Sequence, residues 1–221
     1  MKKVIVINGS PRKNCNTAKA LTEAKRGAEA AGAEVELVHL VDLGFKGCMS
    51  CFACKVKGAK TNGICAWKDE LKPVLEKIVN ADAVIIGSPI YWSYPTGMFR
   101  NLMERLLFAA GSYMKDEVTF FKRQIKRTIP FGIIYTMNVD ENGYKQFNYP
   151  AILTPNEAYT NLLFGHCETL NIYDTYQFSD YSKYDCDMFD PEHKADVRNN
   201  QFPKDLEKAF EMGKRLTEAK F

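Results

Sequence analysis

No apolar stretch in this chain is long enough to cross a bilayer. Runs such as Ala83 to Ile86 and Leu106 to Ala110 fall far short of the roughly 18 to 20 residues a spanning helix requires, so no membrane partner is expected. Charge of one sign is also lacking. Thirty lysines and arginines face 27 aspartates and glutamates, and the formal net charge of +3 is too mild for a nucleic-acid footprint, which wants a clustered basic face. Histidine is scarce: His39, His166 and His193 are scattered and form no ligand or triad pattern. Neither a Gly-Lys-Ser/Thr phosphate loop nor a Gly-x-Gly-x-x-Gly fingerprint is present, which weakens ATP hydrolysis and a Rossmann-bound nicotinamide. A Cys-x5-Arg loop and an aspartate nucleophile motif are missing too, which argues against ester hydrolysis. The apolar run after Met1-Lys2-Lys3 ends at Asn8, Gly9 and Ser10 without a small-residue cleavage site, so a cytoplasmic location is expected.

What remains is an ordinary globular composition, 46% hydrophobic and 26% charged over 221 residues. A chain of this length buries roughly 70% of the surface its unfolded form exposes and needs neither metal nor disulfide merely to fold. One domain over residues 1–221 is expected, with no repeat or linker that forces a second. Val4-Ile5-Val6-Ile7 reads as a strand buried on both faces, closed by Asn8-Gly9-Ser10-Pro11. Ala18, Leu21, Ala24, Ala28 and Ala31 recur at helical spacing from Asn16 to the Gly32 stop. A strand at Val35 to Leu40, a helix at Asp69 to Asn80, a strand at Ala83 to Ile86, a helix at Met98 to Ala109 and a strand at Thr128 to Tyr135 follow. This alternation predicts an α/β fold with a parallel sheet and helices on both faces. Beyond it the pattern predicts a loop from Met137 to Tyr149, a helix at Asn156 to Glu168, a fifth strand at Asn171 to Tyr176 and a final helix at Lys204 to Ala219. Residues 179–203 show no period and read as an irregular surface excursion or an arm.

Two loops carry ligand chemistry. Gly9 to Thr17 joins a buried strand to a helix, where free backbone N–H groups and the helix dipole favour an anion. Ser10, Asn16 and Thr17 add neutral donors and Arg12 a cation. A capping role for Asn16 or Thr17 explains part of this loop but not Arg12 or the density of donors. After the first strand of an open parallel sheet, such a loop suggests a mononucleotide phosphate at the strand carboxyl ends, where the strand order reverses. The second loop, Gly87 to Gly97, is rich in aromatics held between Pro89 and Pro95, suited to cover a flat ring or to pack on a neighbouring helix.

The Gly-Ser-x-Arg-x-x-x-Asn-Thr pattern at Gly9 to Thr17 and Ser-Pro-Ile-Tyr-Trp at Ser88 to Trp92 together resemble the flavodoxin-like NAD(P)H-dependent FMN reductases over Lys3 to about Met137. The resemblance implies a doubly wound five-stranded sheet of order 2-1-3-4-5. It implies FMN with its phosphate at Ser10, Arg12, Asn16 and Thr17 and its isoalloxazine along Pro89, Ile90, Tyr91 and Trp92. Met137 and Asn138 take the third ligand-loop position, although the usual glycine-rich stretch is missing there. It further implies a reduced nicotinamide as co-substrate, a small-molecule electron acceptor such as a quinone, no catalytic side chain beyond the flavin, and a homodimer or homotetramer, to which the aromatic excursion could contribute an exchanged arm.

Seven cysteines are present, four of them in the Cys-rich loop at 45–66. Cys48, Cys51 and Cys54 have the compact iron–sulfur spacing, and with Cys65 they could hold a [4Fe–4S] cluster, a zinc ion, or remain free or reversibly oxidised thiols. The segment resembles the iron–sulfur flavoprotein branch, which implies a one-electron relay between a ferredoxin-like partner and FMN as the alternative function. It departs from that branch in the ten residues before Cys65 and in Lys55, Lys57 and Lys60 within them. A redox-sensing or zinc-stabilised interaction module is the non-enzymatic alternative. Cys15, Cys167 and Cys186 lack partners at metal spacing and read as buried small hydrophobes.

Overall fold

The structure, a computed structural model, describes residues 1–116 and 122–219. Five parallel strands form its sheet: β1 (Lys3–Asn8), β2 (Glu34–His39), β3 (Ala83–Tyr91), β5 (Ile129–Thr136) and β6 (Gly165–Ile172), in the order β2-β1-β3-β5-β6. A sixth, two-residue strand, β4 (Tyr94–Pro95), folds back antiparallel on the end of β3. The doubly wound parallel sheet is therefore the expected one, with this short hairpin added.

Side-chain alternation along the strands divides the core in two. Ile5, Ile7, Val84, Ile86, Phe131 and Ile133 face α2 (Leu71–Asn80), α3 (Gly97–Ala110) and α5 (Tyr149–Phe164). Val4, Val6, Ala83, Ile85 and Ile134 face α1 (Asn16–Ala30) and α7 (Phe202–Glu218). Contiguous apolar runs mark β1, β3 and β5 because both their faces are covered. The edge strands β2 and β6 are only partly buried.

The C-terminal part departs from the sequence expectation. The loop expected at Met137 to Tyr149 contains α4 (Glu141–Gln146), capped by Asp140. The helix expected at Asn156 starts at Tyr149, with Pro150 in its first turn and Pro155 inside it. It stops at Gly165, which takes φ 96°, a conformation glycine adopts at little cost. The fifth parallel strand therefore runs over Gly165–Ile172 and not Asn171 to Tyr176. The excursion is ordered as well. It holds α6 (Pro191–Asp196), capped by Asp190, and a π turn at Val197–Gln201 that leads directly into α7. Its aromatic residues pack on one another, with Phe178 stacked on Tyr184 at 4.0 Å and Tyr176 edge-on to Tyr181 at 5.1 Å. Among the described residues, no helix is long and apolar enough to cross a membrane.

Burial of two titratable groups in the central and edge strands makes stability fall in alkali. Burial pushes the Tyr135 phenol and the Cys167 thiol well above their ordinary values of 10.0 and 9.0. The unfolded chain then ionises first, so the stabilisation is fully present below those ordinary values and is lost as pH rises through the raised ones. Each group removes about 1.4 kcal/mol per pH unit in that window. Urea unfolding from pH 8 to 11 is expected to show flat stability below pH 9 and a decline above it. Tyr135→Phe should make the decline above pH 10 shallower, and an unchanged slope would contradict the assignment.

Candidate functional site

The strand order reverses between β1 and β3, so the loops after these strands diverge and leave a crevice at their carboxyl ends. In the first loop, Asn8 is wholly buried: its Oδ1 accepts from Ser10 N at 2.9 Å, and its Nδ2 stands 3.1 Å from His39 Nδ1. Ser10 Oγ accepts from Arg12 N at 3.1 Å, and Thr17 Oγ1 shares a hydrogen bond of 2.7 Å with Thr136 Oγ1. These hydroxyls shape the loop from its buried side. Neither Asn16 nor Thr17 caps α1. Cys15 stands at the cap position without a side-chain bond, and the N–H groups of Asn16, Thr17 and Ala18 have no partner among the described residues. An uncapped helix start beside a cation attracts an anion.

The second loop is a two-residue hairpin. Ile90 pairs with Pro95 and Tyr91 with Tyr94, which leaves Trp92 at φ 48° and Ser93 at φ 71°. A turn with positive φ at both central residues matches strand twist and usually carries Asn-Gly. Here two residues with side chains occupy it, at a cost on the order of 1 kcal/mol each. The turn lifts Trp92 into solvent, 97% exposed, with Tyr91 and Tyr94 about half exposed beside it.

Thr96 joins the two loops. Its Oγ1 donates to Gly9 O at 2.6 Å and accepts from Phe99 N at 3.2 Å as the cap of α3, while Thr96 N donates to Ser88 Oγ at 3.0 Å. Thr96→Val is expected to cost about 1 to 2 kcal/mol, because it removes a cap and strands a buried carbonyl. Thr96→Ser should recover most of that in thermal unfolding, and an unaffected Thr96→Val protein would refute the link.

Most of the expected ligand residues meet in one cleft of about 80 Å³. Ser10, Arg12, Asn16 and Thr17 line it with Pro89, Ile90, Tyr91, Met137 and Asn138. Trp92 does not, since the hairpin carries it outward. Cys15, Thr136, Thr175 and Gln177 complete the lining and were not anticipated. Thr136 was within reach of sequence reasoning as the last residue of a strand ending at the crevice. Thr175 and Gln177 follow β6 and carry no motif. Asn138 Oδ1 is buried without a hydrogen-bond partner, while its Nδ2 donates to Gln177 Oε1 at 2.8 Å. The free N–H groups, this unsatisfied oxygen and the Arg12 cation fit a phosphorylated ligand that both donates and accepts hydrogen bonds.

The cysteine loop lies on α3. Cys48, Cys51, Cys54 and Cys65 all border one small cavity of about 20 Å³. Buried Arg105 donates through Nε to Cys65 Sγ at 3.4 Å, and Lys55 donates to the carbonyls of Phe108 and Gly111 at the end of α3. Burial pushes the Cys54 thiol up, and it also pushes the Lys55 ammonium down. Among the described residues, no three Cys, His, Asp or Glu side chains stand together as a metal site. The four-thiolate set expected from spacing is therefore not assembled among the described residues, although all four cysteines border the one cavity. Cys167 is buried as expected of a small hydrophobe, whereas Cys15 and Cys186 are only partly so.

Residues 2–122 match the model of the NADPH-dependent FMN reductase family, just over half of the chain. The chain belongs to that family. Among curated relatives, an iron–sulfur flavoprotein of Archaeoglobus fulgidus is 39% identical over 112 residues, covering 50% of this chain and 52% of that protein. Another, from Clostridioides difficile, is 31% identical over 150 residues, 64% of this chain and 63% of its own. The chain spans about half the length of most of the curated relatives it matches. Two solved structures share the fold across nearly the whole chain. An NAD(P)H:quinone oxidoreductase from Methanothermobacter marburgensis has a TM-score of 0.70 at 13% identity, covering 97% of this chain and 98% of that one. An FMN-dependent NADH-azoreductase from Bacillus anthracis, solved with FMN, has a TM-score of 0.64 at 11% identity, covering 98% and 100%. The lining residues Ser10 to Thr17 and Pro89 to Tyr91 fall inside the matched segment, whereas Thr136, Met137, Asn138, Thr175 and Gln177 lie beyond it.

Proposed function

We propose that this protein is an FMN-dependent oxidoreductase that draws on a reduced nicotinamide and delivers electrons to a small quinone-like acceptor. The observation that carries this reading is the cleft itself: an uncapped α1, a neighbouring guanidinium and a buried, unsatisfied Asn138 oxygen in a chain of the FMN reductase family. Ser10, Arg12, Thr17 and the backbone N–H of Asn16 hold the phosphate, Pro89, Ile90 and Tyr91 flank the ring, and Met137 and Asn138 complete the site, while Trp92 stands outside the cleft. Residues 1–221 act as one flavin-binding unit. When bound, FMN supplies the redox centre that takes hydride from the nicotinamide and reduces the acceptor.

The protein's own part is to bind, orient and shield. Loop N–H groups stabilise negative charge, and the stiff Tyr91–Tyr94 hairpin places aromatic surface where a planar ligand stacks. A groove of about 940 Å³ opens beside that hairpin, lined by Tyr94, Arg100, Met103, Leu107, Phe108 and Tyr159. Its largely apolar walls, with Arg100 and Glu104 as the charged side chains on them, suit a flat acceptor or the nicotinamide. The exposed aromatics on this side also suit association into a homodimer or homotetramer, which light scattering checks against the monomer mass.

A second reading, single-electron transfer through an iron–sulfur cluster, is favoured by the four cysteines around one cavity and by relatives described as iron–sulfur flavoproteins. Against it stands the lack of an assembled ligand set. One experiment separates the two. Protein purified without oxygen is assayed for its absorption spectrum, iron, sulfide, zinc and NAD(P)H oxidation with a quinone. Flavin bands without iron, together with rapid NAD(P)H oxidation, are expected. About four irons and four sulfides per chain with slow NAD(P)H oxidation would favour the relay, and protein that binds no flavin would overturn the reading.

A further inference from the structure

The family match ends at residue 122, yet the phosphate loop is held from outside by a segment well beyond it. After β6 the chain turns at Asp174, φ 55°, and runs beside the cleft. Thr175 N donates to Met137 O at 2.9 Å, the Asn16 Nδ2 donates to Tyr176 O at 2.7 Å, and Arg12 Nη1 donates to Gln177 O at 3.3 Å. The chain then returns through α6, where Lys194, 1% exposed, donates to Asn138 O at 2.6 Å and pairs with Asp174. His193 Nε2 meets the other oxygen of Asp174 at 2.6 Å. These contacts fix the start of the π turn at Val197–Gln201, and π turns inside helices often serve function.

Arg198 projects from that turn. Its guanidinium lies 4.5 Å from the ring of buried Phe202, and its Nη1 donates to Asn16 Oδ1 at 3.4 Å. No carboxylate pairs with it among the described residues, and the same holds for Arg12. Two guanidiniums without counter-charge thus converge on the start of α1: Arg12 lines the cleft and is anchored on Gln177, and Arg198 stands behind it, reaching the cleft residue Asn16. Unpaired cations on either side of a helix start favour an anion there, and a phosphate monoester near neutral pH carries a charge approaching −2. Asn16, meanwhile, spends both ends of its amide on Tyr176 and Arg198.

We infer that Arg198 is the second cation of the phosphate site, supplied by the C-terminal part of the chain, and that Asn16 is the positioning residue that holds it there. This rests on the proposed function in one respect, that the anion is the phosphate of FMN. Arg198 then makes the site select phosphorylated over unphosphorylated flavin.

The test uses the full-length protein stripped of flavin and titrated with FMN and with riboflavin by fluorescence quenching. Inorganic phosphate is added in a parallel thermal-shift series. Arg198→Gln is expected to weaken FMN binding about 10- to 100-fold while riboflavin binding stays within about twofold, and to abolish stabilisation by phosphate. Arg198→Lys should recover part of both, as a point charge without the planar fork. Asn16→Ala should mimic Arg198→Gln in weaker form. The inference is overturned if Arg198→Gln binds FMN as the parent does, if FMN and riboflavin weaken together, or if phosphate stabilises the variant as well as the parent. A parent protein that binds no flavin but is stabilised by phosphate through Arg198 would refute the FMN reading and leave the anion site standing.

Discussion

Arg105→Met is expected to destabilise the protein by about 3 to 5 kcal/mol, the usual cost of breaking a buried ion pair from one side. Arg105 is 1% exposed on α3 and holds four separate groups. It donates to Cys65 Sγ at 3.4 Å, Lys46 O at 3.3 Å and Trp67 O at 3.2 Å, and it pairs with Asp69. Burial alone would push its pKa down, but the hydrogen bonds to Asp69 and Cys65 more than offset this and keep the charge in place. Asp69 in turn accepts from Leu71 N at 3.2 Å at the start of α2. One side chain therefore ties both ends of the cysteine loop and the start of a helix to α3. Methionine fills much of the volume but leaves Asp69 and two carbonyls without their donor. Adding Asp69→Leu should restore a good part of the loss, since a buried pair replaced by apolar residues is often near neutral. Urea midpoints measure the stability, and faster reaction of the loop thiols with a thiol reagent under native conditions reports release of the loop. A single variant within 1 kcal/mol of the parent would show that Arg105 is not the tie described.

Gly27→Val should be of similar severity, on the order of 4 kcal/mol, for a steric reason. α1 and α7 pack backbone to backbone: a Cβ at Gly27 would overlap the Phe210 carbonyl, and one at Gly213 the Ala24 carbonyl. Backbone cannot rotate away as a flexible side chain can, so the helices must separate and lose the apolar contacts of Ala20, Ala24, Ala28, Ala209 and Met212. Gly97→Ala, where an added Cβ meets nothing within 4 Å, serves as the control and should stay within about 1 kcal/mol. Because α7 continues the turn that carries Arg198, undocking should also loosen FMN. Denaturation and FMN titration of the same samples test both parts. A Gly27→Val protein as stable as the control would mean that the helices do not meet so closely.

The sheet and the ligand loops were legible in the sequence because their causes are local. Val4 to Ile7 and Ala83 to Ile86 are apolar without interruption since each strand is covered on both faces, and Asn8-Gly9-Ser10 ends the first run where the chain must turn. Ser10, Arg12 and Thr17 follow from the donors of a loop at the point where strand order reverses, whereas Ile90 and Asn138 join them only through the family resemblance. The C-terminal third resisted the same approach. Pro150 and Pro155 obscured the start of α5, Gly165 ended it earlier than its apolar pattern suggested, and the polar, aromatic stretch at 179–203 has no period because its order comes from contacts distant in sequence.

Four cysteines at cluster spacing likewise define only what they could ligate. Whether they converge depends on Arg105 and α3, which lie outside the loop, and on where Lys55 is anchored on α3, which the spacing does not contain. The sequence alone determined the parallel sheet with helices on both faces, since periodicity resides in neighbouring residues, and its two loop motifs carried the resemblance that implied the family and the strand order. Tertiary structure alone decided that Trp92 points away from the cleft, that Thr175 and Gln177 line it, and that Arg198 stands beside Asn16. The hairpin turns Trp92 out locally, through positive φ values no motif announces, whereas the other two relations join residues more than a hundred positions apart, and only the packing of α7 on α1 and of the returning segment on the phosphate loop brings them together.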